Sequence, residues 1–506
     1  MTKPFVPSPQ QAAFFDFISN GTGSAFLEAV AGAGKTTTLV EALKLTSGTV
    51  NFAAYNTKIA NEIKAKVAKL GLGNRLRVGT FHSFGFGAWR YVHKDVKAGP
   101  EAAREKADMT VAHFQIPRTL QGFVLKLVSL AKQGAMTIAQ SGDDSRWYDI
   151  IEHHDLAYEI EDEALVAVGV DFAKKALKWH HDIGHVIIDF DDMIWLPVIT
   201  GCKVWQNDWV FVDEAQDTNP ARRALARKML KTRGRAVFVG DRHQAIYGFT
   251  GADSNSIDQI CREFNCKMLP LTTTYRCPKA VVAKAQTIVS HIHAHESAPE
   301  GSVEYITQKQ FDTLSLGERG LHPVEDAILC RNTKPLVQMA YTLIARGIGC
   351  HVEGREIGAG LLKLVDRFDT KSAYDFRDRL VAFCEREVAK LNSKGKETQA
   401  QALQDRVDTI LVIMDANPAC KTLQEVRDRI AKLFQDSERE PVATVTLATV
   451  HKSKGREWNR VFVLGQNAYM PSPYARQEWQ LEQEDNLIYV AYTRAKSELV
   501  LIEVER

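Results

Sequence analysis

The sequence predicts an α/β protein built from two parallel-sheet regions, and three observations carry that reading. Trp209–Val212 and Ala236–Val239 are apolar without polar alternation, the pattern of strands buried on both faces. Strand-like and helix-like segments alternate from Ser24 onward, which builds a parallel sheet covered by helices. Two long helix-periodic stretches, Arg90–Asp182 and Tyr374–Phe434, interrupt the sheet segments and read as helical insertions.

Each element follows from its own pattern. Ser24–Val30 is a short apolar strand, followed by a loop of small residues and a helix over Thr38–Leu45. Thr49–Ala54 is the next strand, with a helical segment through Leu70. A second α/β region begins near Lys267, with strands at Asp326–Cys330, Val442–Leu447, Arg460–Leu464 and Glu498–Ile502. In its insertion Leu423, Val426, Ile430 and Leu433 recur at spacings of three and four. Phe376, Leu380, Phe383 and Val388 nearly do the same, so packing alone explains them.

Bulk composition narrows the function classes. A chain of 506 residues exceeds one hydrophobic core, so several domains are expected. The net charge of +2 excludes a global positive field, and any nucleic-acid site must be a local groove. Eight cysteines are scattered with no CxxC pair; even the tightest set, Cys261, Cys266 and Cys277, reads as reduced thiols in the cytosol. The start MTKPFVPSPQQ lacks signal-peptide form and no apolar run reaches membrane-spanning length, so a cytoplasmic protein without a membrane partner is expected. His291, His293 and His295 are read as an exposed helix end rather than a metal site.

The first chemical signal is Ala31-Gly32-Ala33-Gly34-Lys35-Thr36-Thr37, between a strand and a helix. Glycines let backbone N–H groups close around phosphate oxygens, and the helix N-terminus favours negative charge. Lys35 would reach the β- and γ-phosphates and the Thr36 hydroxyl would ligate magnesium. Ala29 stands at the first position of the usual glycine pattern. Asp213-Glu214-Ala215-Gln216-Asp217 directly follows the strand Trp209–Val212. Asp213 at the strand end can hold the magnesium shell, and Glu214 can take a proton from attacking water. An exposed acidic turn would also carry such residues, but not together with this loop. ATP hydrolysis with Mg2+ is the expected chemistry.

Further motifs run in order along the chain: YNTKIANEI (55–63), GTFHSFG (79–85), DFDDM (189–193) and VDEAQDT (212–218). They continue with VGDRHQAIYGFTGA (239–252), TTTYRCP (272–278), ATVHKSKGREW (448–458) and YVAYTRA (489–495). In this the chain resembles superfamily 1 DNA helicases of the UvrD/Rep/PcrA type, with the F-box helicase branch as another relative. The resemblance implies two RecA-like parallel-sheet domains in tandem, each with a mainly helical inserted subdomain. The expected boundaries are 1–90 with 183–264 for the ATP-site domain and 91–182 for its insertion. The second domain takes 265–370 with 441–506, and its short insertion takes 371–440.

By motif position the resemblance makes Gln11 the adenine reader, Tyr275 its stacking partner and Glu457 a ribose contact. Gln244 would sense the γ-phosphate, and Arg276 and Arg494 would stabilise transition-state charge across a cleft. Tyr55, Tyr247 and Phe249 would stack on bases, while Thr80, His82, Thr449 and His451 would touch the strand. The implied activity is 3′→5′ translocation on single-stranded DNA with unwinding at duplex junctions, by a monomer. The alternative is a motor subunit acting with a separate nuclease in a repair or anti-phage complex; a repair or replication partner also fits. A silent binding module is opposed by the intact Lys35, Asp213, Glu214, Gln244, Arg276 and Arg494. The location would be nucleoid-associated in a bacterium or the host cytoplasm for a phage protein. Thr37 stands where an arginine is common, Arg456 where a leucine is usual, and Asp485 and Asn486 replace a basic pair.

Overall fold

The computed structural model describes residues 5–68, 71–154, 156, 160, 163–246, 256–314, 320–393, 397–434, 444–473, 475 and 478–505. Its contacts separate into two units, Met1–Ala29 with Gly34–Leu271, and Val30–Ala33 with Thr272–Arg506.

In the first unit β1 (Ser24–Ala29), β2 (Val50–Ala54), β3 (Leu76–Thr80), β4 (Asn207–Val212), β5 (Leu230–Gly240) and β6 (Cys266–Leu271) form one sheet. The order is β3-β2-β4-β5-β1-β6 and every pairing is parallel. The apolar runs are buried as their pattern requires: Phe26, Val210, Val212 and Phe238 pack with Leu225, Ile260 and Phe264. Phe52 and Phe211 stack on neighbouring strands with ring centroids 6.1 Å apart. The edge strand β6 extends this sheet past the expected boundary at residue 264. Pro270 obscures it in the sequence, yet an edge strand tolerates a residue without an N–H.

The first insertion consists of helices Pro100–His113, Arg118–Gln133, Asp144–His153 and Glu163–Asp182. They share a core with Trp89, Trp147, Trp195 and Leu196. The indole N–H of Trp195 donates to Met136 O at 2.8 Å, so the large ring is buried without an orphaned donor. Helix Phe81–Val92 lies so close to helix Asp192–Ile199 that a Cβ at Gly85 would fall 2.0 Å from Met193 O. Only glycine fits there.

The insertion also holds a largely buried ionic network. Lys106 bonds Asp192, and Lys132 Nζ lies 2.5 Å from Asp189 and 2.7 Å from Asp192. His180 completes it through Thr110, Nε2 to Oγ1 at 2.8 Å. Burial opposes the charge on Lys132, but Asp189 and Asp192 outweigh it and hold the ammonium protonated. Among the described residues His180, Asp189 and Asp192 alone converge closely enough to hold a cation. Two lysines already neutralise them, so the group fastens helices together.

The second unit contains the two-stranded sheet β7 (Thr273–Thr274) with β8 (His293–Ala294), then β9 (Ser302–Thr307), β10 (Asp326–Cys330) and β11 (Cys350–Val352). Its strands end with β12 (Val445–Thr449), β13 (Trp458–Leu464) and β14 (Ala495–Glu503). The main sheet has the order β11-β12-β10-β13-β14-β9 and is again parallel throughout. Helices Ala373–Ser393, Glu397–Asp415 and Leu423–Leu433 occupy the expected insertion. Phe376, Leu380, Val426 and Ile430 join Ile328, Leu336 and Leu447 in one core. The histidine cluster is not a helix end: His293 lies in β8 and its N–H donates to Thr272 O. Ile292 between the histidines is fully buried, which anchors the segment as strand. Residues 435–443, the expected start of a strand at Val442, lie outside the described residues, as do Tyr247 and Phe249. Among the described residues no helix is long and apolar enough to cross a membrane.

Lys132→Met leaves buried Asp192 and partly buried Asp189 sharing one lysine. Breaking a buried pair costs about 3–5 kcal/mol. Denaturant unfolding followed through tryptophan fluorescence should show that loss; a parent-like midpoint would mean the network contributes nothing.

Candidate functional site

The phosphate loop and the acids are brought together because parallel strands deliver their C-terminal ends to one edge of the first sheet. Gly34 closes the loop with φ +78° and caps helix Lys35–Leu43, a left-handed position that favours glycine. Gln11 is buried beside it: its Nε2 donates to Thr38 Oγ1 at 2.8 Å, and its Oε1 accepts from Ser8 N at 2.9 Å. The Ser8–Gln11 capping box starts helix Pro9–Asn20 and holds the amide against the loop-following helix.

Lys35 Nζ lies 3.3 Å from Glu214 Oε1, and Asp213 sits at the end of β4 with 4% of its surface exposed. Burial, and then the neighbouring Glu214 carboxylate, push Asp213 up to about 7. Lys35 is pulled down by burial, but Glu214, Asp241 and Asp213 together raise it above its ordinary value. Asp213, without a direct cation of its own in this cluster, could hold a magnesium ion together with the Thr36 hydroxyl.

A relay of side chains links these acids to the next strand. Glu214, in the left-handed region at φ +51°, accepts from Gln216 Nε2 at 2.5 Å. Gln216 Oε1 in turn accepts from Asp241 N at 3.2 Å, and Gln244 Nε2 donates to Asp241 Oδ2 at 2.6 Å. The sequence reading singled out Glu214 and Gln244 but not Gln216 and Asp241, which connect them. Their signal was their place within VDEAQDT and VGDRHQ.

A cleft of about 220 Å³ in the same unit is lined by Tyr55, His82, Asp191, Asp217, Asn219 and Arg222 among others. It brings together two expected strand contacts, Tyr55 and His82. Arg222 sits 5.9 Å over the Tyr55 ring and donates to Asp217 O, the last acid of the motif. Arg222 escaped the sequence reading because a lone arginine on a helix has no pattern. Burial, and then Arg222, push His82 down to about 4, so it is neutral near pH 7. Thr80 is engaged elsewhere: its hydroxyl accepts from Ser83 N and caps helix Phe81–Val92.

The second unit holds the remaining candidates. Arg276 Nε lies 2.5 Å from Glu457 Oε2, so the expected ribose contact is an ion-pair partner here. Tyr275 packs against His295 with ring centroids 4.7 Å apart and the rings tilted by 33°, and 48% of its surface is exposed. Arg494 is buried, donating from Nε to Val490 O, from Nη1 to Arg456 O and from Nη2 to Thr493 Oγ1. Within this unit Ala31 N–H also donates to the Tyr489 hydroxyl at 2.8 Å, and Tyr275 N–H to Gly32 O at 2.9 Å. Thr449 caps the short helix Val450–Ser453 by position alone, without a side-chain cap bond. Burial and then Arg331 push His451 down to about 3.

The two histidines give a pH test. Their folded values lie below the ordinary imidazole value, so the unfolded chain takes up protons first as pH falls. Their contribution is complete above about pH 6.5 and is lost as pH drops toward 4. His82→Gln and His451→Gln should each flatten the fall in melting temperature across that window; unchanged slopes would refute neutral burial.

The UvrD/REP helicase N-terminal domain model matches residues 10–265, and the UvrD-like helicase C-terminal domain model matches residues 363–506. The ATP-dependent DNA helicase UvrD2 of Mycobacterium tuberculosis is 27% identical over 65% of this chain and 53% of its own length. The probable DNA helicase II homolog of Mycoplasma pneumoniae is 22% identical over 96% of this chain and 83% of its own. The F-box DNA helicase protein 1 of Schizosaccharomyces pombe is 26% identical over 58% of this chain and 34% of its own. The chain spans about half the length of the UvrD2 relatives it matches. With matching N- and C-terminal helicase models and two six-stranded parallel sheets, the chain belongs to the UvrD/Rep helicase family.

Proposed function

We propose that this chain hydrolyses ATP to translocate along single-stranded DNA in the 3′→5′ direction and to unwind duplex ahead of it. The observation that carries the hydrolysis is the Lys35–Glu214 ion pair beside buried Asp213, joined through Gln216 and Asp241 to Gln244, while DNA as the track rests on the family and direction on the resemblance.

The pair also suggests the order of events. While Lys35 holds Glu214, that carboxylate is neutralised and a poor base. The β- and γ-phosphates compete for the Lys35 ammonium, and its departure frees Glu214 to accept the proton of an attacking water. A magnesium ion held by Asp213 and Thr36 would neutralise phosphate charge. Gln244 reports the γ-phosphate, and its bond to Asp241 passes a shift toward Gln216 and Glu214. Arg276 and Arg494 are read as the arginines that stabilise transition-state charge. Arg494 then has to exchange some of its bonds within the second unit.

Strand grip is assigned to the cleft holding Tyr55 and His82, with Tyr247, Phe249, Thr449 and His451 as further contacts. Stacking on aromatic faces holds any base, and a neutral His82 acts as a hydrogen-bonding group rather than a cation. The activity is placed in the cytoplasm on single strands and duplex junctions.

Lys35→Ala should abolish hydrolysis. Glu214→Gln should retain nucleotide binding yet lose turnover by roughly a hundredfold or more, since general-base catalysis contributes about 10²–10⁴. A steady-state ATPase assay beside a fluorescent-nucleotide titration separates the two, and parent-like turnover in Glu214→Gln would remove it as the base.

Direction and track are tested on tailed duplexes. DNA-stimulated ATPase with unwinding of 3′-tailed substrate is expected; unwinding confined to 5′ tails reverses the polarity, and indifference to DNA rejects the motor.

A further inference from the structure

Two exposed aromatic side chains of the first unit, Tyr91 at 82% and Trp205 at 63%, flank a cleft of about 510 Å³. Its apolar walls include Phe84, Val204 and Met229. It lies where β2 and β3 begin, at the opposite end of the strands from the phosphate loop. Asn51 and Arg77 are register partners there, side by side on one sheet face.

Three features show that the cleft is prepared for an occupant. Asn51 is 1% exposed, and its Oδ1 is buried with no hydrogen-bond partner. Its Nδ2 makes only a long bond to Trp205 O, at 3.4 Å. A buried acceptor without a donor is uncommon, and this one lines an open cleft. Second, among the described residues Arg77 and Lys203 are the charged members of the lining and no carboxylate joins them, so the rim is positive. Third, a Cβ at Gly87 would meet nothing within 4 Å, so helix Phe81–Val92 leaves space toward the cleft.

We propose that this cleft docks a short acidic segment of a partner protein, anchored by a tyrosine or tryptophan. An anchor of this kind supplies a flat apolar body for Trp205, Tyr91 and Phe84. Its O–H or N–H gives Asn51 Oδ1 the missing donor, and neighbouring Asp or Glu side chains meet Arg77 and Lys203. Such anchors fill pockets of this size with a polar rim. A nucleic-acid strand fits less well. Its backbone calls for a continuous basic track, whereas only two cations are present and Arg77 already lies 4.1 Å over the Trp205 ring. The inference is independent of the ATP and strand-contact residues assigned above.

The test uses the full chain. A random peptide library displayed on phage is panned against it, and enriched peptides are synthesised with a fluorophore for anisotropy titration. Enriched sequences should carry Tyr or Trp next to Asp or Glu. Trp205→Ala, which trims an exposed ring, and Gly87→Phe, which fills the cleft, should each weaken binding roughly tenfold. DNA-stimulated ATPase of both variants should match the parent, showing that they fold. The proposal is overturned if no peptide enriches, if enriched peptides lack the acidic–aromatic pattern, or if they bind both variants like the parent. It is equally overturned if an oligothymidylate displaces them and crosslinks to Tyr91, which would make the cleft a nucleic-acid site.

Discussion

The first unit is arranged around one electrostatic debt, the buried carboxylates at the end of β4. Asp213 is almost wholly enclosed and Glu214 follows it, so the strand end concentrates negative charge where water cannot screen it. Lys35 is the nearest compensation, and it is held there by a glycine-built loop that no other residue type would close as easily. The sheet order explains the meeting. β1 carries the lysine loop, β4 the acids and β5 the Asp241–Gln244 turn, and these strands lie in the sequence β4-β5-β1. Three loops distant in sequence therefore open onto one edge. Because Lys35 is the compensating charge, a polyanion that took it would change the state of the acid.

The same rule of paired burial shapes the first insertion, with the opposite outcome. Lys106, Lys132 and Asp192 are almost wholly buried and Asp189 partly so, and each charge has a partner from another segment of the chain. No exchangeable ligand is needed to balance them. Asp191, beside that network, instead turns to the cleft of Tyr55 and His82, where Ser129 and Gln133 hold it. The DFDDM segment thus anchors the insertion with two of its acids and borders the cleft with the third. On the same cleft, Arg222 donates to Asp217 O, in the turn that follows the acids at the end of β4.

How much of this could be read from sequence depended on whether a residue acts through its type or its neighbours. Uniform apolar runs such as Val210–Val212 and Ala236–Val239 specify central strands, and they were legible. Edge strands were not: β3 carries Arg77 and is preceded by Arg75, and β6 holds Pro270. Edge positions accept both because one side is unpaired. In the site, Lys35, Asp213 and Glu214 were legible because phosphate and metal chemistry restrict residue type and spacing. Thr80 caps the helix that follows it, a role any threonine before a helix can take through its hydroxyl. Gln216, Asp241 and Arg222 were hidden because their value lies in three-dimensional adjacency. His293 belonged to a strand because Ile292 beside it is buried, a tertiary fact that local polarity conceals.

A parallel sheet has two chemically unlike ends, and this unit uses both. The C-terminal end receives loops and helix N-termini, which favour anions and suit phosphate chemistry. At the N-terminal end, the segment before β4 leaves Trp205 exposed, and Asn51 turns its amide inward beneath it. Nothing in the phosphate chemistry requires an aromatic pair or an enclosed amide there. Residues that serve only the fold would bury the rings or pair the amide, since both changes stabilise the chain alone. An open, positively rimmed cleft with these features suits an occupant from outside the chain. Because it lies at the far end of the strands, that occupant would leave the Lys35–Glu214 exchange unobstructed.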